Sequence, residues 1–133
     1  MYLLDTNVWV AFLRRPRSPI VPRLRAKGPG EVCVCSVVVA ELYYGCLRSA
    51  NAVDNRAKVD ALLRPHRSLP FDDAAAEQFA AIRRDLEREG TPIGPYDLQI
   101  AAVALANACT LVTHNTEEFS RIPGLLLEDW ESP

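Results

Sequence analysis

Short apolar runs alternate with longer stretches of helical period along almost the whole chain, and that alternation leaves few folds open. Residues 2–5 form a continuous apolar run that ends at Asp5. A helical stretch follows over Asn7–Leu13, with Asp5 or Thr6 near its cap, and stops in the proline-bearing segment Pro16–Pro22. After the turn Gly28-Pro29-Gly30 comes a second strand, residues 31–35. Ser36 is placed to cap a helix over Val37–Leu47, and Val53–Leu63 forms another that closes before Pro65. Ser68–Phe71 is a short third strand. Ala74–Glu89 repeats Phe79, Ile82 and Leu86 at helical spacing and stops at Gly90. Pro95 opens a helix that runs to Asn107, Cys109–Thr113 is a fourth strand, and Leu125–Glu128 a fifth. Strands this short, separated each time by a helix, pair in parallel. The expected class is α/β, one domain over residues 1–133 with helices on both faces of a parallel sheet. In such sheets ligands bind beyond the carboxyl ends of the strands, where Asp5 and Asn115 fall.

The 133 residues suffice for one sizeable core. With 49% apolar and 24% charged residues the composition is that of an ordinary globular protein. No run approaches the roughly 20 apolar residues that cross a bilayer, and the first residues carry no basic, cleavable leader. The expected setting is the cytoplasm, away from membranes. Cys33 and Cys35 stand two apart in a strand, where they share a face but are badly placed to bridge each other. With Cys46 and Cys109 they read as buried free thiols, since no second ligand pair or nearby histidine completes a zinc site.

A net charge of −2 argues against a broad, generic nucleic-acid surface. The positive charge is nevertheless almost all arginine, 13 against 2 lysines, and arginine grips phosphate with two parallel hydrogen bonds. Arg14, Arg15 and Arg17 cluster after the first helix, where they serve either an RNA backbone or simply a solvated helix end.

Three carboxylates stand out by context. Asp5 ends the first strand, where an aspartate also serves as a helix cap. Glu41 lies in Ser-Val-Val-Val-Ala-Glu-Leu-Tyr-Tyr-Gly, a helix expected to be buried around most of its circumference. A buried ionised carboxylate needs a cation, whether a metal or one of the arginines. Asp97 falls at about the third position of the helix opened by Pro95, where the helix dipole alone favours an acid by roughly 0.3–1 kcal/mol. Asn115 follows the fourth strand, in a place that also suits a turn residue. Brought to one sheet edge, three acids repel one another unless a cation sits between them. A hard divalent ion with oxygen ligands, Mg²⁺ or Mn²⁺, resolves that repulsion. Two such ions about 3.5–4 Å apart can hydrolyse a phosphodiester without any histidine or nucleophilic side chain.

These residues carry a resemblance. Tyr2-Leu3-Leu4-Asp5-Thr6-Asn7-Val8, Ser36-Val37-Val38-Val39-Ala40-Glu41-Leu42, Ile93-Gly94-Pro95-Tyr96-Asp97-Leu98-Gln99-Ile100-Ala101-Ala102 and Leu111-Val112-Thr113-His114-Asn115-Thr116-Glu117-Glu118-Phe119 resemble, in order and spacing, the motifs of PIN-domain nucleases. Within that family they are most similar to the VapC toxins of type II toxin–antitoxin systems, and the tail from Ile122 to Trp130 fits the same group. The resemblance implies a PIN-like three-layer α/β/α sandwich with a central parallel sheet of four to five strands. It implies a Mg²⁺- or Mn²⁺-dependent endoribonuclease acting on tRNA or ribosomal RNA and leaving 5′-phosphate and 3′-hydroxyl ends. Asp5, Glu41 and Asp97 would be its metal-binding acids, with Asn115 at a fourth position often held by aspartate. Thr6 and Thr113 would supply hydroxyls beside them, and Asn7 a supporting hydrogen bond. A VapB-like antitoxin and a homodimer are implied as well.

Two other functions remain to be weighed. An aspartyl phosphotransferase or receiver would place a second acid beside its nucleophile and a lysine at a later strand end, whereas Asp5-Thr6-Asn7 has no second aspartate and no lysine follows Lys58. A non-catalytic module with the same fold would tolerate loss of the acids. His114 reads as an exposed strand-end residue, and nothing in its segment brings it to His66 for acid–base cleavage of RNA.

Overall fold

The computed structural model describes residues 1–132; Pro133, the last residue of the expected domain, lies outside them. Five strands form one sheet: β1 (Tyr2–Leu4), β2 (Val32–Cys35), β3 (Arg67–Leu69), β4 (Thr110–Val112) and β5 (Leu127–Glu128). Every pairing is parallel, in the order β3-β2-β1-β4-β5. Leu3 lies opposite Cys33 on one side and Leu111 on the other. The three inner strands are sealed on both faces, Leu3, Leu4, Val32 to Cys35, Leu111 and Val112 all being buried. That is why they read as unbroken apolar runs instead of alternating ones. The chain builds outward from β1 to β2 and β3, then returns to the other side of β1 for β4 and β5. The order therefore reverses between β1 and β4, and the ends of those two strands frame the crevice where such sheets bind ligands.

Among the described residues seven α-helices flank the sheet: α1 (Thr6–Arg14), α2 (Ile20–Arg25), α3 (Ser36–Arg48), α4 (Ala52–Leu63), α5 (Asp73–Arg88), α6 (Pro95–Ala106) and α7 (Thr116–Phe119). Asp72 caps α5 by accepting from the Ala75 amide at 3.0 Å, and Gly90, at φ +70°, supplies the left-handed residue just past its end. Pro95 occupies the first helical position of α6, where no amide hydrogen is needed.

The structure corrects several sequence expectations. The Pro16–Pro22 segment is not all loop, because α2 begins at Ile20. Pro19 caps it and Pro22 sits in its first turn, where a proline leaves no helical hydrogen bond unmade. Ile20, Val21 and Leu24 anchor it in the core. Cys35, not Ser36, occupies the cap position of α3; Ser36 is its first residue and turns its hydroxyl toward the Leu69 carbonyl, 3.5 Å away. The third strand is Arg67–Leu69, not Ser68–Phe71, because Cys35 pairs with Leu69 at its end. Helix α3 is buried only along Val38, Leu42 and Cys46, while Tyr44 and Leu47 face outward. The helix enclosed on nearly all sides is α6, held between α5 and the sheet, with Leu98 and Ile100 to Ala104 buried.

Candidate functional site

The crevice between β1 and β4 is built by two hydroxyl–carboxylate pairs. Asp5 ends β1 and caps α1, its Oδ1 accepting from the Asn7 amide at 2.9 Å. Its Oδ2 accepts from the Thr113 hydroxyl at 2.7 Å, a bond that ties the end of β1 to the end of β4. Both residues are buried, Asp5 at 7% exposure and Thr113 at 1%. The second pair links α1 to α3: the Thr6 hydroxyl donates to Glu41 Oε1 at 2.7 Å. Glu41 does not meet an arginine, the alternative its sequence left open. Among the described residues Asp5, Glu41 and Asp97 enter no ion pair.

Asp97 arrives on the first turn of α6, which points its amino end at the same crevice. Burial is the main cause that lifts its pKa from the ordinary 3.8 to about 6, and the charges of Asp5, Glu118 and Glu41 push it in the same direction. Asp5 is raised too. There desolvation by burial dominates, the Thr113 and Asn7 hydrogen bonds oppose it, and the charge of Glu131 adds to it. Helix-dipole stabilisation, which by itself could explain an acid at the third position of α6, is thus outweighed at Asp97. The acids feel one another across the crevice, and among the described residues no cation pairs with Asp5, Glu41 or Asp97.

Asn115 lies beside this group. Its amide nitrogen donates to Thr113 Oγ1 at 3.1 Å, and its side-chain Nδ2 donates to Glu118 Oε2 at 3.2 Å. Asn7 contributes through its backbone, while its side chain is exposed. Two acids passed over in the sequence also crowd the site. Glu118 sits on α7, a single helical turn anchored by the fully buried Phe119, and Glu131 lies in the tail after β5. A helix of four residues has too little period to be seen in a sequence. Glu131 follows Trp130, which is buried and packs on Tyr2, 5.4 Å between ring centroids.

The histidines are separated. His114 is exposed, with Nδ1 3.0 Å from Asp129 Oδ2 and 3.4 Å from Glu131 Oε2. His66 packs on Trp9, 5.3 Å between ring centroids, and meets the Val32 carbonyl at 3.2 Å. Arg15 approaches Glu131 at 3.6 Å.

The donor set suits a hard divalent cation: carboxylate, hydroxyl and amide oxygens around a site whose negative charges are unbalanced. As they stand, no three histidine, cysteine or acidic side chains among the described residues close to metal-holding distance. A bound ion would draw in carboxylates that now repel one another.

Comparison with known proteins agrees with this geometry. A family model described as the PIN domain matches residues 2–125, nearly the entire chain. The chain belongs to the PIN-domain family. Within it, the chain is 36% identical to the tRNA(fMet)-specific endonuclease VapC of Salmonella typhimurium, over 97% of each chain. It is 35% identical to ribonuclease VapC2 of Rickettsia felis, over 98% of each. The PIN fold superposes on a crystal structure of DNA-bound VapBC from Salmonella typhimurium with a TM-score of 0.91, at 36% identity and 97% coverage of both chains. Against VapBC2 of Rickettsia felis bound to a promoter DNA fragment the TM-score is 0.89, at 36% identity, covering 97% of this chain and 98% of that one. PIN-domain ribonucleases as a class require a divalent metal.

Proposed function

We propose that this chain is the toxin of a type II toxin–antitoxin system, an endoribonuclease of the VapC group that hydrolyses RNA phosphodiester bonds at Asp5, Glu41, Asp97 and Asn115. The observation that carries the site assignment is the uncompensated acid cluster at the reversal point of the sheet, with Asp97 lifted to about 6 by burial and like charge. Relatives named ribonuclease and endonuclease, matched along almost their full length, support the reaction. The partner is a VapB-like antitoxin, as in the solved VapBC complexes. A homodimer, residence in the cytoplasm and a single domain over residues 1–133 belong to the same reading. No helix among the described residues is long and apolar enough to cross a membrane.

The chain's own residues divide the work. Asp5, Glu41 and Asp97 would hold the metal, Mg²⁺ with Mn²⁺ as a substitute. When bound, such an ion supplies activation of water and neutralises charge on the departing oxygen. Thr113 fixes the Asp5 carboxylate by its hydrogen bond, and Thr6 does the same for Glu41. Side chains held this way have less freedom to lose when the metal draws them together. Asn115, neutral and steadied by Thr113 and Glu118, orients the site without adding charge. The Asn7 amide completes the hold on Asp5.

The test is digestion of total bacterial RNA by purified protein freed of antitoxin, followed by mapping of fragment ends. The tRNA(fMet) named for the Salmonella relative is the first target to examine, ribosomal RNA the second. Cuts at one or a few sites that require Mg²⁺ or Mn²⁺, carry 5′-phosphate ends and vanish in Asp5→Ala and Asp97→Asn are expected. Cuts that persist in EDTA or in both variants would overturn the acidic mechanism. A folded protein that binds RNA and cuts none would make it a binding module.

A further inference from the structure

Past β5 the tail flanks the crevice on the side away from α3, since β5 lies beyond β4 whereas α3 leaves the end of β2 beyond β1. Trp130 is buried, and its Nε1 donates to Glu128 Oε1 at 3.0 Å. Arg23 donates to the Asp129 carbonyl at 3.2 Å. Asp129 closes a turn on its own side chain, Oδ1 accepting from the Glu131 amide at 2.9 Å and Oδ2 from the Ser132 hydroxyl at 2.8 Å. Anchored in this way, the tail brings two carboxylates to His114, whose Nδ1 lies 3.0 Å from Asp129 Oδ2 and 3.4 Å from Glu131 Oε2. The other Glu131 oxygen, Oε1, lies 3.6 Å from the Arg15 guanidinium. The charge of Glu131 is felt at Asp5, whose pKa it helps to raise.

A surface ion pair by itself contributes little and needs no further account. Here the exposures are lopsided: the Glu131 and Asp129 side chains are 18% and 19% exposed, those of Arg15 and His114 69% and 63%. The tail fixes the acids, while their partners are free to turn toward another anion. Of the three arginines clustered after α1, Arg15 alone enters an ion pair among the described residues. The basic groups on this flank are therefore taken up by the chain's own carboxylates. A guanidinium accepts a phosphate oxygen in place of a carboxylate oxygen, with the same charge and the same kind of hydrogen bond. An acid at this place does nothing to hold a phosphodiester; it repels one and occupies the arginine that would attract it.

Resting on the ribonuclease reading, we propose that the C-terminal tail is an autoinhibitory clasp. In the free protein Glu131 occupies Arg15 and His114, and a phosphate of the RNA strand displaces it from Arg15 as the strand settles at the crevice. Trp130 stays in the core, and only the Glu131 side chain turns away to solvent. The fraction of molecules with the clasp closed sets how far the apparent affinity for RNA falls below its intrinsic value. The chain thereby carries a restraint on its own site that is separate from any antitoxin.

The test measures KM and kcat on a labelled RNA carrying the mapped cut, at saturating Mg²⁺, for wild type, Glu131→Gln, Arg15→Ala and the double variant, each freed of antitoxin. Opening the clasp in Glu131→Gln is expected to lower KM about three- to fivefold and to leave kcat within about twofold, the range that one exposed ion pair imposes on an apparent affinity. Arg15→Ala is expected to raise KM about threefold, and Glu131→Gln to gain less than about twofold once Arg15 is gone. Anisotropy of the same RNA in EDTA gives a readout that a packing role would not move. The slope of log Kd against log salt steepens by about 0.7 in Glu131→Gln, one phosphate contact more on a single strand. A KM for Glu131→Gln no lower than that of wild type overturns the inference. So does a fall in KM that persists in full without Arg15, which is the plain removal of a repelling charge. A folded wild type that cuts no RNA is a different failure, and it removes the ribonuclease reading itself.

Discussion

Asp60 and Asp97 are aspartates on neighbouring layers of one small protein, and their surroundings push them in opposite directions. Asp60, on α4, accepts the Tyr43 hydroxyl at 2.9 Å and the Arg56 Nε at 3.1 Å to both oxygens. Those hydrogen bonds, Tyr43's first, hold its carboxyl below the usual range. The arginine in turn lies 3.5 Å above the Tyr43 ring. Among the described residues Asp97 has no such partner, and burial with three neighbouring acids lifts it to about 6. With 13 arginines at hand the chain neutralises an acid at its surface and leaves the crevice uncompensated. Repulsion concentrated at the place where the sheet order reverses is what a cation from outside would relieve in the proposed site. On the proposed reading, stability is given up there in exchange for function.

That contrast can be broken most forcefully at Asp97. Replacing Asp97 with Asn is expected to lower RNA cleavage on the order of a thousandfold, because an acid that holds the metal stabilises charge in the transition state by several kcal/mol. A multiple-turnover assay on a mapped substrate measures it. Next in size is Thr113→Val, which keeps shape but removes the hydroxyl that fixes Asp5 Oδ2. A loss of about 10- to 100-fold in metal affinity or activity is expected, read by calorimetric titration of Mg²⁺ alongside the cleavage rate.

A smaller effect appears in stability. Because Asp97 is raised in the folded protein from its ordinary 3.8 to about 6, its protonated form suits the fold better. The resulting contribution is complete below pH 3.8 and is lost as pH rises through 6. In EDTA, the unfolding free energy from urea titrations should therefore decline over that window, by about 1 kcal/mol once the partial exposure of the side chain is allowed for. Asp97→Asn should flatten the decline. The least effect belongs to Asp60→Asn, which loses an exposed ion pair and should leave the cleavage rate unchanged and the melting temperature almost so. If Asp60→Asn instead abolished cleavage, the division between a neutralised surface and an uncompensated crevice would be misplaced.

Much of this was legible in the amino-acid order, for physical reasons that differ from residue to residue. The buried inner strands announced themselves because parallel strands sealed on both faces must be apolar throughout. Helix α5 is marked by its period and by Gly90, and α6 by Pro95 at its start. Asp5 and Asn115 were legible because strand ends in such sheets face the crevice. Helix α2 was hidden because Pro19 and Pro22 read as breakers, and only their placement at the cap and first turn makes them harmless. The burial of α3 was overestimated: a helix rich in valine and tyrosine looks enclosed, yet only Val38, Leu42 and Cys46 face the core. Glu118 and Glu131 could not have been found, since a one-turn helix and a tail packed by Trp130 bring them to the site through tertiary contacts alone.

The most direct check of the central claim is the melting temperature of wild type and Asp97→Asn, each measured in EDTA and across a Mg²⁺ titration. An uncompensated crevice requires wild type to melt below Asp97→Asn in EDTA, to rise as Mg²⁺ is added, and Asp97→Asn to respond weakly or not at all. A wild type indifferent to Mg²⁺ and more stable than the variant in EDTA would show that the acids are balanced within the protein, and the account would be wrong.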